Sequence, residues 1–175
     1  MHLWHTGLMD KVEELRYLVL AAQREGNRAL ADALRPLGVS PAQAEVLPVV
    51  REATGPLSVR EIGDLLVCET GSPSRLVTSL VTAGLLHGVR DTADARVTRL
   101  SLTAIGRRIA QQVVATEQGF VRRLASDIPD DQTLDVVVDF LRRFVTDTPA
   151  GRALARRSPE TRAPGAGPQI GRAQP

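Results

Sequence analysis

Two groups of polar side chains carry the chemistry of this chain. The first, Ser72, Ser74, Arg75, Thr78 and Ser79, has the three- and four-residue spacing that gathers side chains on one side of a helix. Hydroxyls set out this way exchange hydrogen bonds with base edges or phosphates, and Arg75, the one long donor among them, matches the O6 and N7 acceptors of guanine. The competing use of Arg75 is an ion pair with Glu69 or Asp64 that merely decorates the surface. The second group, Arg90, Asp94 and Arg96, lies in or beside a polar loop, Arg90-Asp91-Thr92-Ala93-Asp94-Ala95.

Covalent chemistry has no comparable footing. Gly71-Ser72-Pro73-Ser74 lacks the pattern of a nucleophile elbow, and neither a phosphate loop nor a zinc motif occurs. His2, His5 and His87 share no paired metal-ligand spacing with Cys68 beyond His2-x-x-His5. One cysteine excludes an intrachain disulfide, and Cys68 falls at a helix C-terminus beside Glu69, where the negative end of the dipole disfavours thiolate; it reads as a packing residue. No catalytic residue, metal or cofactor is assigned.

The polar groups need elements to hold them. Ser58-Val59-Arg60-Glu61 is a capping box that starts a helix, with Ile62, Leu65 and Leu66 on its buried face. The pattern breaks between Val67 and Gly71, and Ser72-Pro73 starts a second helix with serine as N-cap and proline at the first helical position. Leu76, Val77, Leu80 and Val81 form its apolar stripe, and Gly84 suits a left-handed stop. Two short helices across a tight turn signal a helix-turn-helix. Leu85, Leu86 and Val89 then lead into the polar loop, Val97, Leu100 and Leu102 return as a hairpin, and Thr103 caps a further helix.

From Val39 to Val114 the chain resembles the MarR family of winged-helix transcription regulators. The segments SPAQAEVL, REIGDLL, SPSRLVTSLVTAGLL and VRDTADARVTRLSLTAIGR stand in the family's order, and the most specific piece joins Asp94-x-Arg96 to Leu102-Thr103-x-x-Gly106. The resemblance implies a mainly α (α+β) fold, a winged helix-turn-helix head with long N- and C-terminal dimerisation helices. It also implies that Ser72, Ser74, Arg75, Thr78 and Ser79 face the major groove from a recognition helix, and that Arg96 enters the minor groove from the wing. Asp94 would brace the wing by pairing with Arg90 or Arg96.

Charge adds little to that reading. The formal net charge is +2, yet residues 149–175 hold five arginines against one glutamate, so the remainder is acidic by two. From Pro56 to Leu102 five arginines face five acids. Phosphate binding must therefore depend on where the arginines point, and on duplication of the head. Duplication has a basis in the flanking segments. Leu8, Val12, Leu15, Val19 and Ala22 recur along a helix of roughly Thr6 to Leu34; Ile105, Ile109, Val113, Phe120 and Leu124 follow the wing. After Pro129-Asp130-Asp131 come Leu134, Val137, Val138, Leu141, Phe144 and Val145. In the family such helices interlock in a homodimer; the stripes alone also allow a monomer that folds them onto each other.

Length fits one domain, residues 1–148, with the head at about 39–106 and dimerisation helices at about 6–35 and 104–147. Residues 149–175, rich in Pro, Gly, Ala and Arg without a periodic stripe, read as a flexible basic tail. Neither a membrane span nor a signal peptide is expected, which implies the cytoplasm. A small-molecule effector is usual in the family, but at 3% aromatic residues there is little to line its pocket; Trp4, His5, Tyr17 and the arginines near the first helix are the candidate contacts, and residues such as Trp4 and Tyr17 are more often plain core or interface. The expectation is a homodimeric repressor that binds a palindromic operator in double-stranded DNA and is released by a ligand or other signal. A winged-helix module that binds protein is the alternative, and a small helical enzyme a remoter one.

Overall fold

Capping residues set most of the element boundaries. The computed structural model describes residues 7–67 and 72–157. A long helix α1, Gly7–Leu34, ends in a single 3₁₀ turn, Arg35–Leu37, at Gly38, whose φ of 68° is the left-handed stop. Ser40 and Gln43 exchange side-chain to backbone bonds of 3.0 and 3.3 Å and open α2, Pro41–Glu52. Ser58 and Glu61 do the same for α3, Val59–Gly63.

Helix α3 is shorter than the apolar pattern predicts. It stops at Gly63, and Leu65 and Leu66 continue as a tighter turn in which their amides donate to the carbonyls of Ile62 and Gly63. Leu66 is still buried. Helix α4, Pro73–Thr82, follows and stops at Gly84, also at φ 68°. Ser72 takes the extended N-cap conformation, but its hydroxyl makes no capping bond; it lies 2.8 Å from the Ser74 hydroxyl instead.

Strands β1, Leu86–Arg90, and β2, Thr98–Leu102, pair antiparallel with Leu86 opposite Leu102 and Arg90 opposite Thr98. Arg90 thus ends a strand and does not lie in the loop. Leu57 adds one further antiparallel bridge to Leu100. Thr103 caps α5, Ala104–Ala125, by accepting from the Gly106 amide, and donates to the Gly84 carbonyl at 2.7 Å, so one side chain fixes both the end of α4 and the start of α5.

The core lies where α2, α3, α4, the hairpin and the first half of α5 meet. Leu34, Val46, Leu47, Ile62, Leu80, Leu86, Leu100 and Val113 are fully buried there, each contributing about 1.5–3 kcal/mol. Helix α6, Asp131–Val145, is different, since none of its residues is buried. Its contact is with the helix that follows it, α7, Pro149–Arg157.

That last helix corrects the expectation of a flexible tail from residue 149. The Thr148 hydroxyl accepts from the Gly151 amide, Ala153 is buried, and Arg156 and Arg157 bond to the head. A short stretch that buries only Ala153 shows no stripe in sequence, because its attachment is largely polar. Residues 158–175 lie outside the described residues, as do Cys68, His2, Trp4 and His5. Among the described residues no helix is long and apolar enough to cross a membrane.

Candidate nucleic-acid interface

Helix α4 buries Val77 and Leu80 and turns Ser74, Arg75, Thr78 and Ser79 outward. Ser72, at its N-terminus, is half-buried. The hydroxyls are already engaged within the chain: Thr78 donates to the Ser74 carbonyl at 2.8 Å, and Ser79 donates to the Leu76 carbonyl at 2.7 Å. Ser79 also accepts from Nε2 of Gln43 at 3.1 Å, which ties α4 to α2. Arg75 takes part in no ion pair among the described residues; Asp64, one of its two expected partners, faces Arg156. Glu69, the other, lies outside the described residues. Among the described residues of this face, Arg75 is the side chain whose donors are uncommitted.

The wing is held from inside its loop. Asp91 Oδ1 accepts from the amides of Ala93 and Asp94 at 2.8 and 3.4 Å, and its own amide donates to the Val97 carbonyl. Asp94 braces the tip, but its carboxylate accepts from the backbone amide of Arg96 at 2.9 Å rather than pairing with the side chain of Arg90 or Arg96. A short carboxylate reaches an amide two residues on without ordering a long side chain. The guanidinium of Arg96 therefore stays exposed and outside every ion pair among the described residues.

Arg99 is the residue that sequence reasoning missed. Its Nε donates to Asp91 at 2.5 Å and its guanidinium donates to Glu61 at 2.7 Å, so it clamps the wing to the N-terminus of α3. The hydrogen bond from Arg99, then the loop amides, hold the Asp91 carboxyl below its ordinary range, and the Asp91 bond in turn raises Arg99. Glu61 is lowered chiefly by its bonds to Ser58, with Arg99 adding to the effect. The signal lay in register: Arg99 stands opposite Val89, two positions before Asp91, but Glu61 is 38 residues away.

Two open hollows flank the head. One, of about 240 Å³, is lined by Val50, Arg51, Pro56, Leu100, Ser101 and Arg107. The other, of about 390 Å³ between α2, α5 and α7, is lined by Pro48, Glu52, Val114, Glu117, Arg122 and Arg157. Burial pushes the Glu117 carboxyl up, against the attraction of Arg157. Tyr17, the described member of the expected aromatic lining, is exposed, with the Arg16 guanidinium 4.1 Å from its ring centre.

Comparison with known proteins places this geometry. Residues 39–106 match the winged helix DNA-binding domain family. An uncharacterized HTH-type transcriptional regulator of Bacillus subtilis, YsmB, is 24% identical over 123 residues, covering 70% of this chain and 81% of its own. A mutant MarR from E. coli, solved in complex with operator DNA, superposes with a TM-score of 0.67 at 22% identity, over 79% of this chain and 98% of its own. The organohalide-sensing regulator RdhR, in its 2,4-dichlorophenol-bound form, gives 0.71 at 16% identity, over 79% and 82%. Residues 39–106 match a winged helix DNA-binding domain, and the chain shares the fold of these MarR-type structures.

Proposed function

We propose that this protein is a transcription regulator that binds a palindromic operator in double-stranded DNA as a homodimer, acts as a repressor, and is released by a small ligand. The observation that carries the reading is the pairing of two arginines that form no ion pair among the described residues, Arg75 on the outward face of α4 and Arg96 on the wing, in a head where Arg99 is consumed by structure. Arg75 suits a guanine edge in the major groove, and Arg96 suits the negative potential of a narrow minor groove. Ser72, Ser74, Thr78 and Ser79 supply contacts beside Arg75 once their hydroxyls turn, while Arg90 lies near phosphate reach and Asp94 shapes the wing. Apolar side chains exposed on α1 and α6 support the homodimer, which sets two heads on two half-sites. The operator complex of MarR and the dichlorophenol-bound RdhR are precedents for both halves of the cycle. The effector must prefer the arrangement that cannot bind DNA, since equal affinity shifts nothing.

Titration of the full chain against duplexes from the DNA flanking its coding sequence tests this at several salt concentrations. Sequence-selective binding that weakens as salt rises is expected. Arg75→Ala should cost about 1–3 kcal/mol and relax selectivity at one base pair, and Arg96→Ala should weaken binding with the fold intact. Unchanged affinity in both variants, or binding indifferent to salt, would favour a module that binds protein.

A further inference from the structure

Helix α7 touches the head at the segment that delivers the recognition helix, and its two contacts converge. Arg157 donates to Oε1 of Glu45 at 2.8 Å, and that same oxygen accepts from the Val67 amide at 2.7 Å. Arg156 donates to the Asp64 carbonyl at 3.0 Å and lies 3.8 Å from its carboxylate. Among the described residues Glu45, on α2, is the one buried charged side chain, only 8% exposed. Just before Asp64, Gly63 packs on Pro73, the first residue of α4; a Cβ there would lie 3.1 Å from the proline ring. A continuous path thus runs from α7 through Glu45 and residues 63–67 to α4. The Glu45 carboxylate is nearly buried while Arg157 is partly exposed, so losing Arg157 would weaken the charge compensation of Glu45 and its hold on the Val67 amide.

We infer that Arg157 and Glu45 are positioning residues for DNA recognition: α7 is a strut whose seat on the head fixes the pose of α4, so movement of the α6–α7 arm changes affinity for DNA. The inference rests on the DNA-binding reading above, and a packed path with two arrangements is how such coupling travels.

The test uses the full chain, a duplex from its flanking DNA and a shuffled duplex of equal composition. Arg157→Gln and Glu45→Gln should each weaken binding to the flanking duplex about fivefold, with the double variant no weaker and the shuffled duplex unaffected. Arg157→Lys should recover most of the loss. Arg152→Gln should match the wild type, because on the same helix the Arg152 side chain bonds the Asp147 carbonyl and, among the described residues, makes no hydrogen bond or ion pair with the head. Without DNA, amide exchange should quicken at Val67 and along α4 in both glutamine variants, while β2 and α5 stay protected. Affinities within about twofold of the wild type, with unchanged exchange, would overturn the strut. So would loss of protection throughout the head, which marks a purely structural role. A wild type that does not distinguish the duplexes would refute the DNA reading instead, and the exchange pattern then decides the strut alone.

Discussion

The head and the arm that follows it solve opposite problems with similar residues. In the head, Leu47, Ile62, Leu80 and Leu100 are within 2% of full burial, on elements joined by side-chain clamps such as Thr103 and Arg99. In α6, Leu134, Val137, Phe140, Leu141 and Phe144 are between 38 and 76% exposed. Both segments are amphipathic, so composition does not separate them. What separates them is whether the same chain can supply a cover, and the difference implies that the shape of the head is set within one chain while that of the arm depends on a second surface. Among the described residues α1 packs on α2 and α5, and α6 meets α7.

The contrast breaks most sharply at Gly106. A Cβ on this residue would sit 1.9 Å from the Leu85 carbonyl oxygen, which already accepts the Thr103 amide. Backbone cannot give way as a side chain can, so Gly106→Ala should destabilise the head by about 3 kcal/mol, read from a denaturant transition. A loss below about 1 kcal/mol would mean that α5 slides freely on the hairpin, and that the head is less rigid than its burial implies.

A charge on the arm should act the other way. Leu141→Asp puts a carboxylate on an exposed apolar face, so the head's own transition should move by about 0.5 kcal/mol or less. Association should suffer instead: sedimentation is expected to shift from twice the 18.9 kDa chain to the chain itself, with weaker binding to two half-sites. A wild type that already sediments as one chain at micromolar concentration would remove the basis of the comparison.

What the sequence made legible was the part governed by neighbours. Ser58-x-x-Glu61, Ser72-Pro73, Gly84 and Thr103 act within four residues, and they place the starts of α3, α4 and α5 and the end of α4. The early end of α3 was not legible, since Leu65 and Leu66 keep an apolar rhythm that a 3₁₀ turn satisfies as well as a helix. Three contacts between distant positions were also hidden: Arg99 to Glu61, Arg157 to Glu45, and Gln43 to Ser79. Each joins polar groups on elements whose docking only the folded chain defines. Arg75 stood out as the one long donor on its helix face and Arg96 by resemblance to the family's wing, and among the described residues their freedom from ion pairs distinguishes them from Arg99, which composition counts equally.

The smallest expected effect belongs to Arg99, and it refines the head itself into a rigid base and a clamped wing. Both acids it holds, Asp91 and Glu61, have pKa values lowered in the folded protein. A lowered carboxyl contributes stability that is fully present above its unfolded range, near 4, and disappears as pH falls through the lower folded value. Arg99→Gln should therefore reduce Tm slightly at neutral pH, because the groups lie at the surface, partly open to solvent and screening, and the gap from the wild type should close in acid. Amide exchange at Ala93 and Asp94 should rise in the variant while α4 keeps its protection. A Tm gap that stays constant to the acid limit would show that Arg99 holds the wing by packing its methylenes, and not by its charge.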